Sequence, residues 1–189
     1  MTEWFFRFSA VIVLLLGLLL WDASGRPGLS AEQAGAPLPP GLGDARWGMT
    51  AKELVQRLKA QKVDADDQFG YAEHLEPEPD VYARTTADGK RVEYYLYRNA
   101  LYKLFIIHAR SQREPQLYRQ MVQQLTATYG PAQRTYDETV FGLTITHTVW
   151  QDAVTQVDLR FGGGFVFEVH VDRARAAVKD EALKRKKSI

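Results

Sequence analysis

Residues Gln156–Val171 read QVDLRFGGGFVFEVHV, and how the three glycines are taken decides what kind of fold surrounds them. A glycine loop cradles phosphate when a helix follows it, because the helix N-terminus aims backbone N–H groups at the anion. Here Phe165–Val171 alternate in side-chain character, which is the period of a strand. No Lys-Ser or Lys-Thr pair follows the glycines, and their spacing does not match G-x-G-x-x-G. The stretch reads as a hairpin. A three-residue loop, Gly162–Gly164, pairs Phe161 with Phe165, Leu159 with Phe167 and Val157 with Val169, and gathers the apolar residues on one face. Loops of about two or four residues would break that agreement.

The same register sets Asp158 opposite Glu168 on the polar face, with His170 next along and Arg160 diagonal to Glu168. Opposed carboxylates need a neutralising partner. Glu168 and His170 are ligand types, but Arg160 supplies the counter-charge more cheaply, so no metal site and no catalytic residue is assigned. An acid/base hydrolase built on Glu168, His170 and Asp158 is the weakest reading. His147 reads as a core or edge histidine. His74 and His108 show no metal-ligand spacing such as H-E-x-x-H.

Working outward, Leu143–Trp150 and Gln156–Phe161 alternate as strands before this hairpin. A first set of strands lies upstream, at Val81–Thr86, Arg91–Tyr97 and Leu101–Ala109. Asp88-Gly89 gives a two-residue turn between the first two, and Arg98-Asn99-Ala100 connects the next pair. Tyr95, Tyr97 and Phe105 then share one sheet face. Thr50 and Glu53 form a capping box, with Met49 and Leu54 as hydrophobic staple, and open a helix with an Ala51, Leu54, Val55, Leu58 stripe. A second helix starts near Pro115 and ends at Gly130-Pro131. The expected fold is α+β: an antiparallel sheet of about six strands with two helices packed on one face, a duplicated αβββ unit.

The chain has 189 residues, 46% of them apolar, with a formal net charge of +1 and no cysteine. That composition gives no global bias toward nucleic acid, and it excludes disulfides, thiol catalysis, cysteine zinc sites and a lipidated cysteine. Residues 1–21 read as a signal peptide or an N-terminal membrane anchor. From Trp4 to Trp21 the only charge is Arg7, and the two tryptophans bracket the run as interfacial anchors would. Residues 22–44 hold four of the eight prolines and five of the fourteen glycines and read as a flexible linker. The α+β domain is expected over 45–173 and a basic C-terminal tail, Lys184-Arg185-Lys186-Lys187 included, over 174–189. Residues 63–80 carry seven acidic groups and no Lys or Arg, but fail the EF-hand template, so they read as a solvated loop.

Two local motifs carry a resemblance. Trp47-Gly48-Met49-Thr50-x-x-x-Leu54 resembles the opening helix of SmpA/OmlA-type outer-membrane assembly lipoproteins. Leu125-x-x-x-Tyr129-Gly130-Pro131, followed by Trp150 and strands, looks like the same unit's helix exit. The beta-lactamase-inhibitor protein, built of two helix-and-sheet units, is similar in plan. The resemblance implies a small extracytoplasmic module that works by contact and not by catalysis, and it departs from the lipoproteins in lacking a lipidated cysteine.

The expected function is therefore that of a non-enzymatic bacterial envelope protein, periplasmic, soluble after signal cleavage or tethered to the inner membrane through residues 4–21. It would bind or scaffold other envelope proteins, without nucleic acid or cofactor. The expected contact surface is the aromatic sheet face with Tyr95, Tyr97 and Phe105, provided that face is open to solvent. The alternative is a periplasmic small-ligand or metal-binding protein with an enclosed pocket between helices and sheet.

Overall fold

A computed structural model of the chain describes residues 36–64, 80–108 and 114–187. The N-terminal apolar run, the first part of the linker and most of the acidic segment lie outside the described residues. Along the described chain the elements are β1 (Gly41–Leu42), β2 (Ala45–Arg46), α1 (Ala51–Leu58), β3 (Gln61–Lys62), β4 (Asp80–Thr85), β5 (Arg91–Tyr97), β6 (Ala100–His108), α2 (Glu114–Tyr129), β7 (Arg134–Val140), β8 (Leu143–Gln151), β9 (Thr155–Gly162), β10 (Phe165–Asp172) and α3 (Arg173–Lys187).

Strands β1 and β2 make a small hairpin, and the other eight form one antiparallel sheet in the order β3-β4-β5-β6-β10-β9-β8-β7. Two meanders of four strands thus meet at their last strands, β6 and β10, and each meander follows a helix. This corrects the expectation of about six strands and two helices in αβββ units. The described residues hold an eight-stranded sheet, a two-stranded one and three helices. Strand β3 is two residues long, too short to show any periodicity. Strand β7 is exposed at every position but the last, so no apolar side alternates with a polar one.

The turns correct the register. The β9–β10 loop is Gly163-Gly164 alone, with φ of 60° and 82°, and two positive φ angles define a type I′ turn whose twist matches the flanking strands. Phe165 pairs with Gly162, Val166 with Phe161, Glu168 with Leu159 and Val169 with Asp158. Apolar residues of the two strands consequently face opposite ways. Gathering them on one face presumes that the other face meets water, and the centre of this sheet is buried on both. Arg98 and Asn99 form a second two-residue turn with φ of 51° and 59°, in place of the expected loop of three residues. The extra residue goes into a bulge: Tyr95 pairs with Lys103 but Leu96 with Leu101. At Asp88-Gly89 the loop has three residues instead of two, closed by a 2.8 Å bond from Thr86 N–H to the Lys90 carbonyl, with Gly89 at φ 79°.

Helices α1 and α2 pack on the same face of the sheet, each over its own half. Leu54 and Leu58 of α1 pack on Val92, Tyr94, Leu104 and Ile106. Met121, Leu117 and Leu125 of α2 pack on Trp150, Val157, Leu159 and Val166. The capping box forms as expected: Thr50 accepts from Glu53 N–H, and the Glu53 carboxylate accepts from Thr50 N–H at 2.8 Å. At the exit of α2, the Trp150 indole donates to the Gly130 carbonyl at 3.0 Å. The opposite face carries Val81, Tyr95, Tyr102, Phe105 and Val169, with Ala176 of α3 against them. The basic tail is therefore largely a helix docked on this far face. The segment read as linker also enters the fold, since Leu38 is buried with the α2 cluster and its N–H donates to Asp152 at 3.0 Å.

Candidate functional site

Tyr95 is 1% and Phe105 5% exposed, and Tyr97 is half-buried, so the expected aromatic contact face is not open to solvent. The Tyr95 hydroxyl donates to Glu93 at 2.8 Å, and the Lys103 ammonium sits 4.5 Å above its ring centroid. Phe167 leans on Phe105 at 5.2 Å between centroids. Edge alternation places these rings on one face, but sequence periodicity cannot say that the face is itself covered.

The two-residue turn also separates Asp158 from Glu168, which lie on opposite faces. Glu168 points to the helix face and meets His170 Nε2 at 2.6 Å and His108 Nε2 at 3.0 Å, one imidazole on each oxygen. All three side chains are buried. Burial alone would raise the Glu168 carboxyl, but the hydrogen bonds from His108 and His170 outweigh it and hold the group well below the ordinary carboxylate range. His170 Nδ1 is buried without a hydrogen-bond partner. Because the imidazole nitrogens converge on one carboxylate, they do not surround a common point as ligands would. Among the described residues, no group of three or more His, Asp or Glu is arranged to hold a metal ion.

Asp158, on the neighbouring strand β9, organises the far face of the sheet. His147 Nδ1 lies 3.1 Å from one Asp158 oxygen, and Arg160 Nε donates to the same oxygen at 2.9 Å. Register places Tyr136, His147 and Arg160 in one row across β7, β8 and β9. The Tyr136 ring stacks on His147 at 4.6 Å and 8°, and the Arg134 guanidinium lies 5.4 Å from the Tyr136 centroid. Glu138 reaches His147 Nε2 at 3.3 Å, an ion-pair distance without hydrogen-bond alignment. Each nitrogen of His147 thus faces a carboxylate. Chemically, this is a brace for the outer strands and not an unoccupied base awaiting a substrate proton.

Beyond the brace, the β7–β8 hairpin runs into solvent. Phe141 is 85% exposed and Leu143 55%, flanking Gly142 at the tip. Phe141 holds φ 50° and Gly142 φ 78°, again a type I′ turn, although a bulky side chain is disfavoured at positive φ. The outer side of β7 has exposed residues from Arg134 to Thr139, and among the described residues β8 is the only element packed extensively on it. Gly142 alone was a weak turn signal, because phenylalanine is disfavoured at the positive φ of such a turn, and a strand without alternation before it hid the hairpin.

Among the described residues, one groove open to solvent, of about 740 Å³, is lined by Lys59, Lys62, Asp64, Arg84 and Arg91. Its four cations are all engaged: Lys62 with Asp80 at 2.9 Å, Arg91 with Glu93 at 2.9 Å, Lys59 donating to the Gln56 carbonyl at 3.0 Å and Arg84 to the Leu58 carbonyl at 3.5 Å. Among the described residues no helix is long and apolar enough to cross a membrane. No protein-family model, curated protein or solved structure matches this chain.

Proposed function

We propose that the protein is a non-enzymatic contact module of the bacterial envelope, exported by its N-terminal apolar segment and binding other envelope proteins through the β7–β8 hairpin tip. One observation carries the reading: a phenylalanine, 85% exposed, held at φ 50° on the end of a projecting hairpin. A bulky residue at positive φ costs on the order of 1–3 kcal/mol, and exposure returns none of it through burial in the free chain. A partner that buries the ring recovers that burial. The brace of Asp158, His147 and Tyr136 supports the reading by holding the hairpin's base in place. Export rests on the run from Phe8 to Trp21, which contains no charge until Asp22.

The test is site-specific photocrosslinking in cells expressing the full chain. A photoreactive phenylalanine analogue at Phe141 should capture envelope proteins, and the same analogue at Val55, 46% exposed on α1, should not. Phe141→Gly should keep the fold and abolish competition with the crosslinked partner. Equal capture from both positions, or none from Phe141, overturns the proposal.

A further inference from the structure

The two ends of the large sheet are protected to very different degrees. The β3 edge is two residues long, which limits any added pairing. The β7 edge offers seven residues, without proline, lysine or a bulge in its register with β8, and is exposed from Arg134 to Thr139. Such an edge presents unpaired N–H and C=O groups to any strand that can align with it.

We infer that β7 pairs with β7 of a second copy of this chain, antiparallel about a two-fold axis through Tyr136. The charge pattern selects both occupant and register. Centred on Tyr136, Arg134 lies opposite Glu138 of the second copy, and Glu138 opposite its Arg134, because each stands two residues from the centre. Tyr136 meets its own equivalent, and Thr135 faces Asp137, a hydroxyl donor against a carboxylate acceptor. Shifting the centre to Asp137 or Glu138 would set like carboxylates against each other, and shifting it to Thr135 leaves Arg134 without an acidic partner opposite. One register is therefore self-complementary and its neighbours are not. Arg134, Tyr136 and Glu138 lie on the far face with His147, so the brace lies directly beside the seam. A two-fold through the edge is closed, so pairing stops at two copies. The Phe141 tip lies beyond the charge-paired stretch, so this association is independent of the proposed hairpin contact with other proteins.

The chain has no cysteine, so an introduced one reports its own neighbour. Full-length protein in mild detergent carries Tyr136→Cys or Thr139→Cys and is oxidised gently at concentrations up to about 1 mM. Tyr136→Cys should form a covalent dimer, since only position 136 meets itself. Thr139→Cys should not, its equivalents being about 20 Å apart at ~3.4 Å per residue. Adding Glu138→Arg to Tyr136→Cys should lower the dimer yield about tenfold by setting arginine against arginine. Adding Arg134→Glu as well should restore it, which a simply misfolded variant would not do. Crosslinking of Thr139→Cys at the Tyr136→Cys rate, no crosslinking of either, or failure of the double exchange to restore the yield overturns the inference. Because only the purified chain is used, none of these results bears on capture of other proteins at Phe141.

Discussion

Glu168 is a carboxylate inside the protein, and its two histidine partners decide its protonation. Its pKa is depressed in the folded state from an ordinary 4.5, so the unfolded chain binds a proton more readily. The contribution of Glu168 to stability is therefore present above the ordinary value and is lost as pH falls toward the depressed one. Denaturant midpoints measured between about pH 7 and about pH 3 should fall steeply on the acid side in the natural protein. Glu168→Gln should flatten that slope and cost about 1–3 kcal/mol at neutral pH, the scale for disturbing buried hydrogen bonds to a charged group. Identical acid slopes in the two proteins would contradict the assignment. Glu168 and His170 were visible in the sequence as neighbours on one strand. His108 was not, because it joins them only when β6 and β10 lie side by side, with His108 opposite Val166.

At the scale of elements, the hairpins show what local pattern can and cannot decide. Glycine and asparagine marked the turns correctly, because only those residues adopt positive φ at little cost. Loop length was another matter. The β9–β10 loop is one residue shorter than the face-matching argument required, and the difference moves every side chain of one strand to the other face relative to its partner. Gly162, expected inside the loop, is instead the last residue of β9. A Cβ there would lie 2.7 Å from the Thr144 carbonyl oxygen and 3.0 Å from Ile145 Cα, both backbone atoms of the adjacent strand. Gly162→Ala should therefore push β8 from β9 and cost about 1–3 kcal/mol in thermal unfolding. An unchanged melting temperature would mean that β8 does not approach as closely as described. The capping box of α1 and the Gly130 stop of α2 were legible for a simpler reason, since caps depend on residues within one turn of each other.

For the whole molecule, the seam between β6 and β10 makes one sheet of two meanders. Segment 36–48 straps across it, with the Trp47 indole donating to Thr155 Oγ1 at 3.0 Å and that hydroxyl donating to the Pro39 carbonyl at 3.0 Å. Leu104 of β6 is fully buried and lies opposite His170. Leu104→Ala should cost about 2–5 kcal/mol and should lower hydrogen-exchange protection in β5 and β9 by the same amount, because both meanders unfold together. Loss confined to β5 would show that the meanders fold separately. The sequence by itself determined the helix that opens each half, most strands and the absence of cysteine chemistry, all of which depend on periodicity or on composition. Only the tertiary structure decided that β7 completes the sheet, that Tyr95 and Phe105 are covered, and that Glu168 and Asp158 serve different faces. Strand pattern reports which side chains share a face within one strand. Which strands adjoin, and whether a second layer covers that face, are settled by pairing and packing between residues far apart in the chain.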